Sequence, residues 1–307
     1  MKKILVATDK PFAPAAITQI KQIIEEAGFQ LELLEKYTDK SQLTDAVSKA
    51  DAVIVRSDIL DKEVIEKSST LKIAVRAGAG YDNIDLEACS AKGIVVMNTP
   101  GQNSNAVGEL ALGMMVFAAR NKFTPKAGTE LKGKTIGMHA FGYVGKVVAR
   151  ICKGFGMDVL AYDPFIDKVD MEINNVVPVA SVEELYKKCQ YISLHIPANK
   201  DTKESINYEL MSKMPKGATL VNTARKEVIH EPSLLKMFAE REDFVYLTDV
   251  APDCGAEIEA KYADRYFATP KKMAAQTKEA NVNAGLAAAK QIVNFFNNGD
   301  TTFQVNK

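Results

Sequence analysis

The stretch that decides the fold is Gly133-Lys134-Thr135-Ile136-Gly137-Met138-His139-Ala140-Phe141-Gly142-Tyr143-Val144-Gly145. Thr135–Ala140 reads as a strand and Ala140–Gly142 as a tight turn. The residues that follow read as a helix, with Val147, Val148, Ile151 and Phe155 on its apolar face. The next strand, Val159-Leu160-Ala161-Tyr162, ends in Asp163, 18 positions after Gly145. Strand, glycine turn, helix, strand and acid is the layout that rests a pyrophosphate on a helix N-terminus and a ribose on the acid. Ala140 stands where the first glycine of that pattern falls, and is expected to make the turn with φ negative. Gly142, which lets phosphates approach, and Gly145, which lets the helix pack on the strand, are intact. An acid at position 163 accepts both ribose hydroxyls and repels a 2′-phosphate, so the expected cofactor is NAD rather than NADP.

Outward from this stretch, short apolar runs alternate with helical patterns. Lys3–Ala7, Leu31–Leu34, Ala52–Arg56, Lys72–Arg76 and Ile94–Met97 read as one series of strands. Thr135–Ala140, Asp158–Tyr162, Tyr191–His195, Thr219–Asn222 and Phe244–Thr248 read as a second. Between them run helices such as Ala15–Ala27, Ser104–Arg120 and a C-terminal Glu279–Asn297, which Asn298-Gly299 stops. Such alternation predicts an α/β protein with two Rossmann-like or flavodoxin-like domains and mainly parallel sheets. A length of 307 residues suits two domains.

Composition excludes several classes. The 39 Lys+Arg balance the 39 Asp+Glu, which opposes a dedicated nucleic-acid binder. The longest apolar stretch, Leu110–Ala119, is about half a membrane span. Cys89, Cys152, Cys189 and Cys254 have neither Cys-x-x-Cys spacing nor a nearby histidine, so no metal site is expected, and free thiols suit a reducing, cytoplasmic setting. Only His139, His195 and His230 are available to any histidine chemistry.

Two further segments carry chemistry. Arg76 precedes Ala77-Gly78-Ala79-Gly80, a small-residue turn whose N–H groups suit an anion. Arg225 follows Asn222-Thr223-Ala224 just past a strand end, where open α/β sheets bind ligands. Arg225 has a bland alternative in a pair with Glu227, and Arg56 has one in a salt bridge with Asp58. Lys271, next to Lys272, has one as solvated surface.

With these segments in place, the chain resembles the D-isomer-specific 2-hydroxyacid dehydrogenases along nearly its whole length. The resemblance rests on VRAGAGYDNIDLEA (75–88), NTPGQNSNAVGEL (98–110), FGYVG (141–145), YDP (162–164), NTARKEVI (222–229) and TDV (248–250), in order and spacing. Within that family, ATPKKMAAQT (268–277) and FNNGDTTFQVNK (296–307) are similar to a short branch that carries lysine in place of the family's catalytic histidine. The resemblance implies a nucleotide domain (100–272) inserted into a substrate domain (1–99 with 273–307). It implies NAD-dependent oxidation of D-3-phosphoglycerate to 3-phosphohydroxypyruvate, the first step of serine biosynthesis, by a homodimer built on the 104–120 helix. No serine-binding regulatory domain is expected after residue 307. Two alternatives stay open: a reductase of glyoxylate, hydroxypyruvate or another unphosphorylated D-2-hydroxy acid, and a non-catalytic NAD-sensing corepressor or scaffold.

Residue by residue, the resemblance makes Arg225 the substrate-orienting arginine and Lys271 the acid/base. It places Arg56, Ser57 and Arg76 at the substrate phosphate, Gly78, Ala79 and Gly80 as backbone donors to the carboxylate, and Asn103 near the substrate. The cofactor positions are Gly142, Tyr143, Val144, Gly145, Asp163, Pro164, His195, Ile196, Pro197, Thr202, Thr223, Ala224, Arg225 and Asp249. Two departures stand out. Lysine occupies the histidine position, and Cys254 stands 29 residues after Arg225, where the family has glutamate. A lysine base must first lose its proton, so Lys271 is expected to be buried beside Arg225, with Asp253 turning inward as a substitute acid. His195 is expected to be a hydrogen-bonded strand-end residue, His139 a packed one and His230 a helix start.

Overall fold

Five short apolar runs in the N-terminal part of the chain become one sheet: β1 (Lys3–Thr8), β2 (Gln30–Glu35), β3 (Ala52–Val55), β4 (Ile73–Arg76) and β5 (Val95–Asn98). All pairs are parallel, in the order β2-β1-β3-β4-β5. Parallel neighbours need crossovers, supplied here by α1 (Pro14–Glu26), α2 (Lys40–Val47), α3 (Lys62–Lys67) and α4 (Leu86–Ala91). Asp39, Asp61 and Asp85 accept the first-turn N–H groups of α2, α3 and α4, which fixes where these short helices begin.

The central strands are buried on both faces, as crossover helices on either side require. Ile4, Val6, Ile54, Ile73 and Val75 pack with α1 and with Ala284, Ala288, Ala289 and Ile292 of the C-terminal helix; Leu5, Ala7, Val53, Val55 and Ala74 face α2 and α3. Each valine, leucine or isoleucine among them that is removed from water contributes about 1.5–3 kcal/mol.

The residues 104–275 form a second compact unit, and 1–103 with 276–307 form the first; the computed structural model describes residues 1–307. The second unit runs α5 (Ser104–Ala119), β6 (Thr135–His139), α6 (Tyr143–Gly154), β7 (Asp158–Tyr162), α7 (Lys168–Ile173), β8 (Val177–Pro178), α8 (Val182–Lys188), β9 (Tyr191–Leu194), α9 (Tyr208–Met211), β10 (Thr219–Asn222), α10 (Glu231–Glu240), β11 (Val245–Thr248), α11 (Gly255–Tyr262) and β12 (Tyr266–Ala268). Its seven parallel strands are ordered β12-β11-β10-β9-β6-β7-β8. The order reverses between β9 and β6, so the carboxyl ends of these two strands flank the crevice where doubly wound sheets take ligands. The last helix, α12 (Lys278–Asn298), belongs to the first unit and ends at Gly299 in the left-handed conformation (φ 68°).

Between α5 and β6 the chain makes an unusual turn. Asn121, Lys122 and Phe123 all have positive φ (48°, 56° and 57°). A non-glycine residue costs about 1–2 kcal/mol in that region. The turn is held by Lys122 Nζ, which donates to the carbonyls of Ala263 and Tyr266, and by the edge-on contact of Phe123 with Phe117.

Candidate active site

At the switch point, β6 leads through Ala140-Phe141-Gly142 into α6. Gly142 caps the helix with no side chain bonded to its first N–H groups, so those donors face outward for an anion. A Cβ on Gly142 would have no protein atom within 4 Å, whereas one on Gly145 would stand 2.4 Å from the Ala140 carbonyl oxygen. The turn therefore leaves space for a ligand and closes the helix tightly on the strand. Ala140 corrects the sequence reading: its φ is +81°, not negative. The position demands the left-handed region, and alanine occupies it with strain of about 1 kcal/mol that glycine would not carry.

Asp163 stands at the end of β7, and Oδ2 accepts the N–H of Phe141 (2.8 Å) while Oδ1 accepts that of Phe165 (2.9 Å). One lone pair on each oxygen thus ties the acid to the glycine turn, and the other remains to accept a ribose hydroxyl. Tyr143 is exposed and Val144 half-buried on the first turn of α6, and Pro164 is exposed beside Asp163.

After β9 come His195, buried Ile196 and exposed Pro197. The expectation of a hydrogen-bonded His195 ring is corrected: its backbone N–H reaches the His139 carbonyl (2.9 Å), but Nε2 is buried without a partner. His139 Nδ1 lies 3.3 Å from the Tyr186 hydroxyl. Burial pushes His139 down to about 4 and His195 down to about 3, so both rings are neutral near pH 7. Thr202 closes its own loop, its hydroxyl within hydrogen-bond distance of the Pro197 carbonyl and the Asn199 N–H. His230 is the cap residue before α10, with Nδ1 2.6 Å from Ser233 Oγ.

The turn after β10 is templated by Asn222, whose amide accepts from Ala224 N (3.0 Å) and donates to the Arg225 carbonyl (2.9 Å). Thr223 Oγ1 is buried with no partner. Arg225 is half-buried, its Nη1 donating only to the Ala224 carbonyl (3.0 Å), and it joins no ion pair; the Glu227 pairing does not form. A guanidinium held by a neutral carbonyl keeps its fork for a carboxylate.

Lys271 lies after β12 and is exposed, not buried as the sequence reading expected. Its loop is clamped by Asp249. That carboxylate is 1% exposed, accepts Met273 N (2.9 Å) and Ala274 N (3.0 Å), and lies 2.9 Å from Thr269 Oγ1. Asp253 also departs from expectation: it turns outward, 80% exposed, onto Lys226. The carboxylate that meets Cys254 is Glu231, at the start of α10, which accepts the N–H groups of Asp253 (2.7 Å) and Cys254 (2.8 Å). Burial and this carboxylate push the Cys254 thiol up to about 12, leaving it protonated. Sequence reasoning passed over Glu231; its only signal was an acid at the first position of a helix.

In the first unit the carboxyl ends of β3 and β4 carry the arginines. Arg56 Nη1 donates to the Lys10 carbonyl (2.8 Å) and Nη2 to Asn281 Oδ1 (2.7 Å), with the guanidinium 5.1 Å from the Phe12 ring centre. The Asp58 ion pair does not form: that carboxylate accepts the Arg56 backbone N–H and the Tyr37 hydroxyl instead. Arg76 Nε donates to the Arg56 carbonyl (3.0 Å). Its guanidinium lies over Gly78, where a Cβ would stand 1.5 Å from Nη1. Gly78 is corrected as a donor, since its N–H is spent on the Arg76 carbonyl (2.9 Å); those of Ala79 and Gly80 have no protein acceptor. Ser57 is exposed and Asn103 half-buried at the end of this unit's first segment.

Residues 113–273 match the family model for the D-isomer specific 2-hydroxyacid dehydrogenase NAD-binding domain. A D-3-phosphoglycerate dehydrogenase of Methanocaldococcus jannaschii is 37% identical over 309 residues, which cover 95% of this chain and 57% of that protein. The chain thus spans little more than half the length of that relative. A hydroxypyruvate reductase of Thermotoga maritima is 35% identical over 86% of this chain and 90% of that protein. The crystal structure of an NAD+-bound 3-phosphoglycerate dehydrogenase of Entamoeba histolytica superposes with a TM-score of 0.87 at 50% identity, over 100% of this chain and 99% of that one.

Proposed function

Because the chain belongs to the D-isomer-specific 2-hydroxyacid dehydrogenase family, with an NAD-binding domain at 113–273, we propose that it oxidises D-3-phosphoglycerate to 3-phosphohydroxypyruvate. The observation that carries the reading is Arg56, held by main-chain carbonyls and a neutral amide, with the Arg76 guanidinium tied to it through the Arg56 carbonyl; two neighbouring guanidinium groups suit a phosphate dianion. The cofactor fits the groups present, namely the open Gly142 turn, the uncapped α6 N-terminus, the Asp163 lone pairs and the orphaned Thr223 Oγ1. When bound, NAD supplies the hydride acceptor.

In this reading Arg225 orients the substrate from the second unit, and the Ala79 and Gly80 N–H groups are anion donors of the first. Lys271 Nζ removes the hydroxyl proton as hydride leaves the same carbon, and returns it in reduction. Asp249 holds the Lys271 loop at both ends. The second unit then carries the cofactor positions together with Arg225 and Lys271, and the first carries Arg56 and Arg76. The 104–120 helix would form the core of a homodimer, and four free cysteines favour a reducing, cytoplasmic setting for an entry step of serine synthesis.

A second reading, reduction of an unphosphorylated acid such as hydroxypyruvate, is favoured by the likeness to the Thermotoga reductase. The first experiment is to mix the protein with NAD and D-3-phosphoglycerate near pH ~9, where more of a lysine base is neutral, and to follow NADH absorbance. Steady NADH production, lost in Lys271→Ala, is expected. No turnover on any 2-hydroxy acid would leave only a non-catalytic, NAD-binding role.

A further inference from the structure

We infer that Asn281, in the first turn of α12, is a positioning residue that selects the phosphorylated acid by holding the Arg56 guanidinium without neutralising it. The inference rests on the phosphate-binding role proposed above for Arg56 and Arg76. Asn281 Oδ1 accepts from Arg56 Nη2 at 2.7 Å, across 225 positions of sequence, and Asn281 Nδ2 donates to the Thr277 carbonyl at 2.8 Å. A guanidinium only donates and a carbonyl only accepts, so these partners fix which way the amide points. Thr277 is the cap residue of α12, with Oγ1 accepting the Ala280 N–H (3.1 Å), so the amide is mounted on an ordered helix start.

The chemistry of the mount matters as much as its rigidity. Arg56 is bounded by the Lys10 and Pro11 carbonyls, the Phe12 ring and the Asn281 amide, and it enters no ion pair. Burial lowers the proton affinity of the guanidinium, and Asp58 and Asp9 offset this only in part from a distance; Asp58 spends its oxygens on the N–H groups of Asp9 and Arg56 and the Tyr37 hydroxyl. Three of the five guanidinium N–H donors are used at most, which leaves two for an external oxyanion. The Arg56 carbonyl in turn holds Arg76 Nε, so a fixed Arg56 also helps to fix its neighbour. A carboxylate at 281 would hold Arg56 at least as firmly but would cancel the charge that a phosphate needs.

The test compares NADH-driven reduction of 3-phosphohydroxypyruvate and hydroxypyruvate by the wild type, Asn281→Ala, Asn281→Asp and, as reference, Arg56→Ala. Asn281→Ala is expected to raise KM for the phosphorylated acid about tenfold more than for the unphosphorylated one, with kcat changing less than KM. The isosteric Asn281→Asp is expected to be worse still for the phosphorylated acid, about hundredfold in KM. A role limited to helix or loop integrity would give the opposite order, with the Asp variant the milder, or would affect both acids alike. Either result overturns the inference. Arg56→Ala with an unchanged KM would overturn the phosphate reading itself, and this inference with it. An impaired Arg56→Ala beside unimpaired Asn281 variants would overturn only the role of Asn281.

Discussion

Gly78 and Gly142 stand at turns on the carboxyl edges of the two sheets, and they differ in what covers them. Above Gly78 lies the protein's own Arg76, so close that a Cβ would stand 1.5 Å from Nη1; around Gly142 no protein atom comes within 4 Å of that point. One turn is glycine because a cation of the same unit packs on it, the other because something from outside must approach the backbone. The same residue type thus marks a charge-presenting platform in one unit and a ligand-receiving loop in the other.

The contrast breaks most sharply under substitution. Gly78→Ala must displace Arg76 and also strains a φ of +155°. It is expected to raise KM for the phosphorylated acid tenfold or more and to lower Tm. Gly142→Ala meets no protein atom, so its loss is expected in NAD affinity, read by fluorescence titration, with Tm of the unliganded protein nearly unchanged. A Gly142→Ala variant that binds NAD normally would remove the distinction.

A smaller effect comes from the neutral histidines beneath the Gly142 turn. His139 and His195 are lowered from 6.5 to about 4 and about 3 by burial. The unfolded chain therefore takes up protons first as pH falls. Stability from these groups is complete above pH 6.5 and is lost as pH drops towards 4, at up to about 1.4 kcal/mol per pH unit for each ring. Thermal unfolding from pH 7.5 to 5 should show that fall, and His139→Gln should flatten it. The smallest effect is Ala140→Gly, which relieves the positive φ and is expected to stabilise by up to about 1 kcal/mol, some 2–4 °C in Tm.

Much of this was legible in the sequence, for reasons that differ by element. Ten strands announce themselves as apolar runs between turn residues, whereas β8 and β12, two and three residues long, are too short to show a period. The glycine turn was legible, but the sign of φ at Ala140 was not, since alanine gives no local warning of a left-handed position. Arg225 and Lys271 were singled out as candidates by the motifs around them. The exposure of Lys271 was not legible, because it depends on how Asp249 gathers residues 269–274 from 20 to 25 positions away. The Arg56–Asn281 and Glu231–Cys254 contacts join residues 225 and 23 apart, which no local spacing rule links.

Arg56, held by neutral partners, and its neighbour Arg76 make this a dehydrogenase of a phosphorylated acid in the reading proposed above. The most direct test of that reading is the wild-type ratio of kcat/KM for 3-phosphohydroxypyruvate over hydroxypyruvate, measured with NADH at one pH and one ionic strength. A ratio of at least about 100 is expected if both guanidinium forks engage the phosphate. A ratio near or below one would contradict the account and identify an unphosphorylated D-2-hydroxy acid as the substrate.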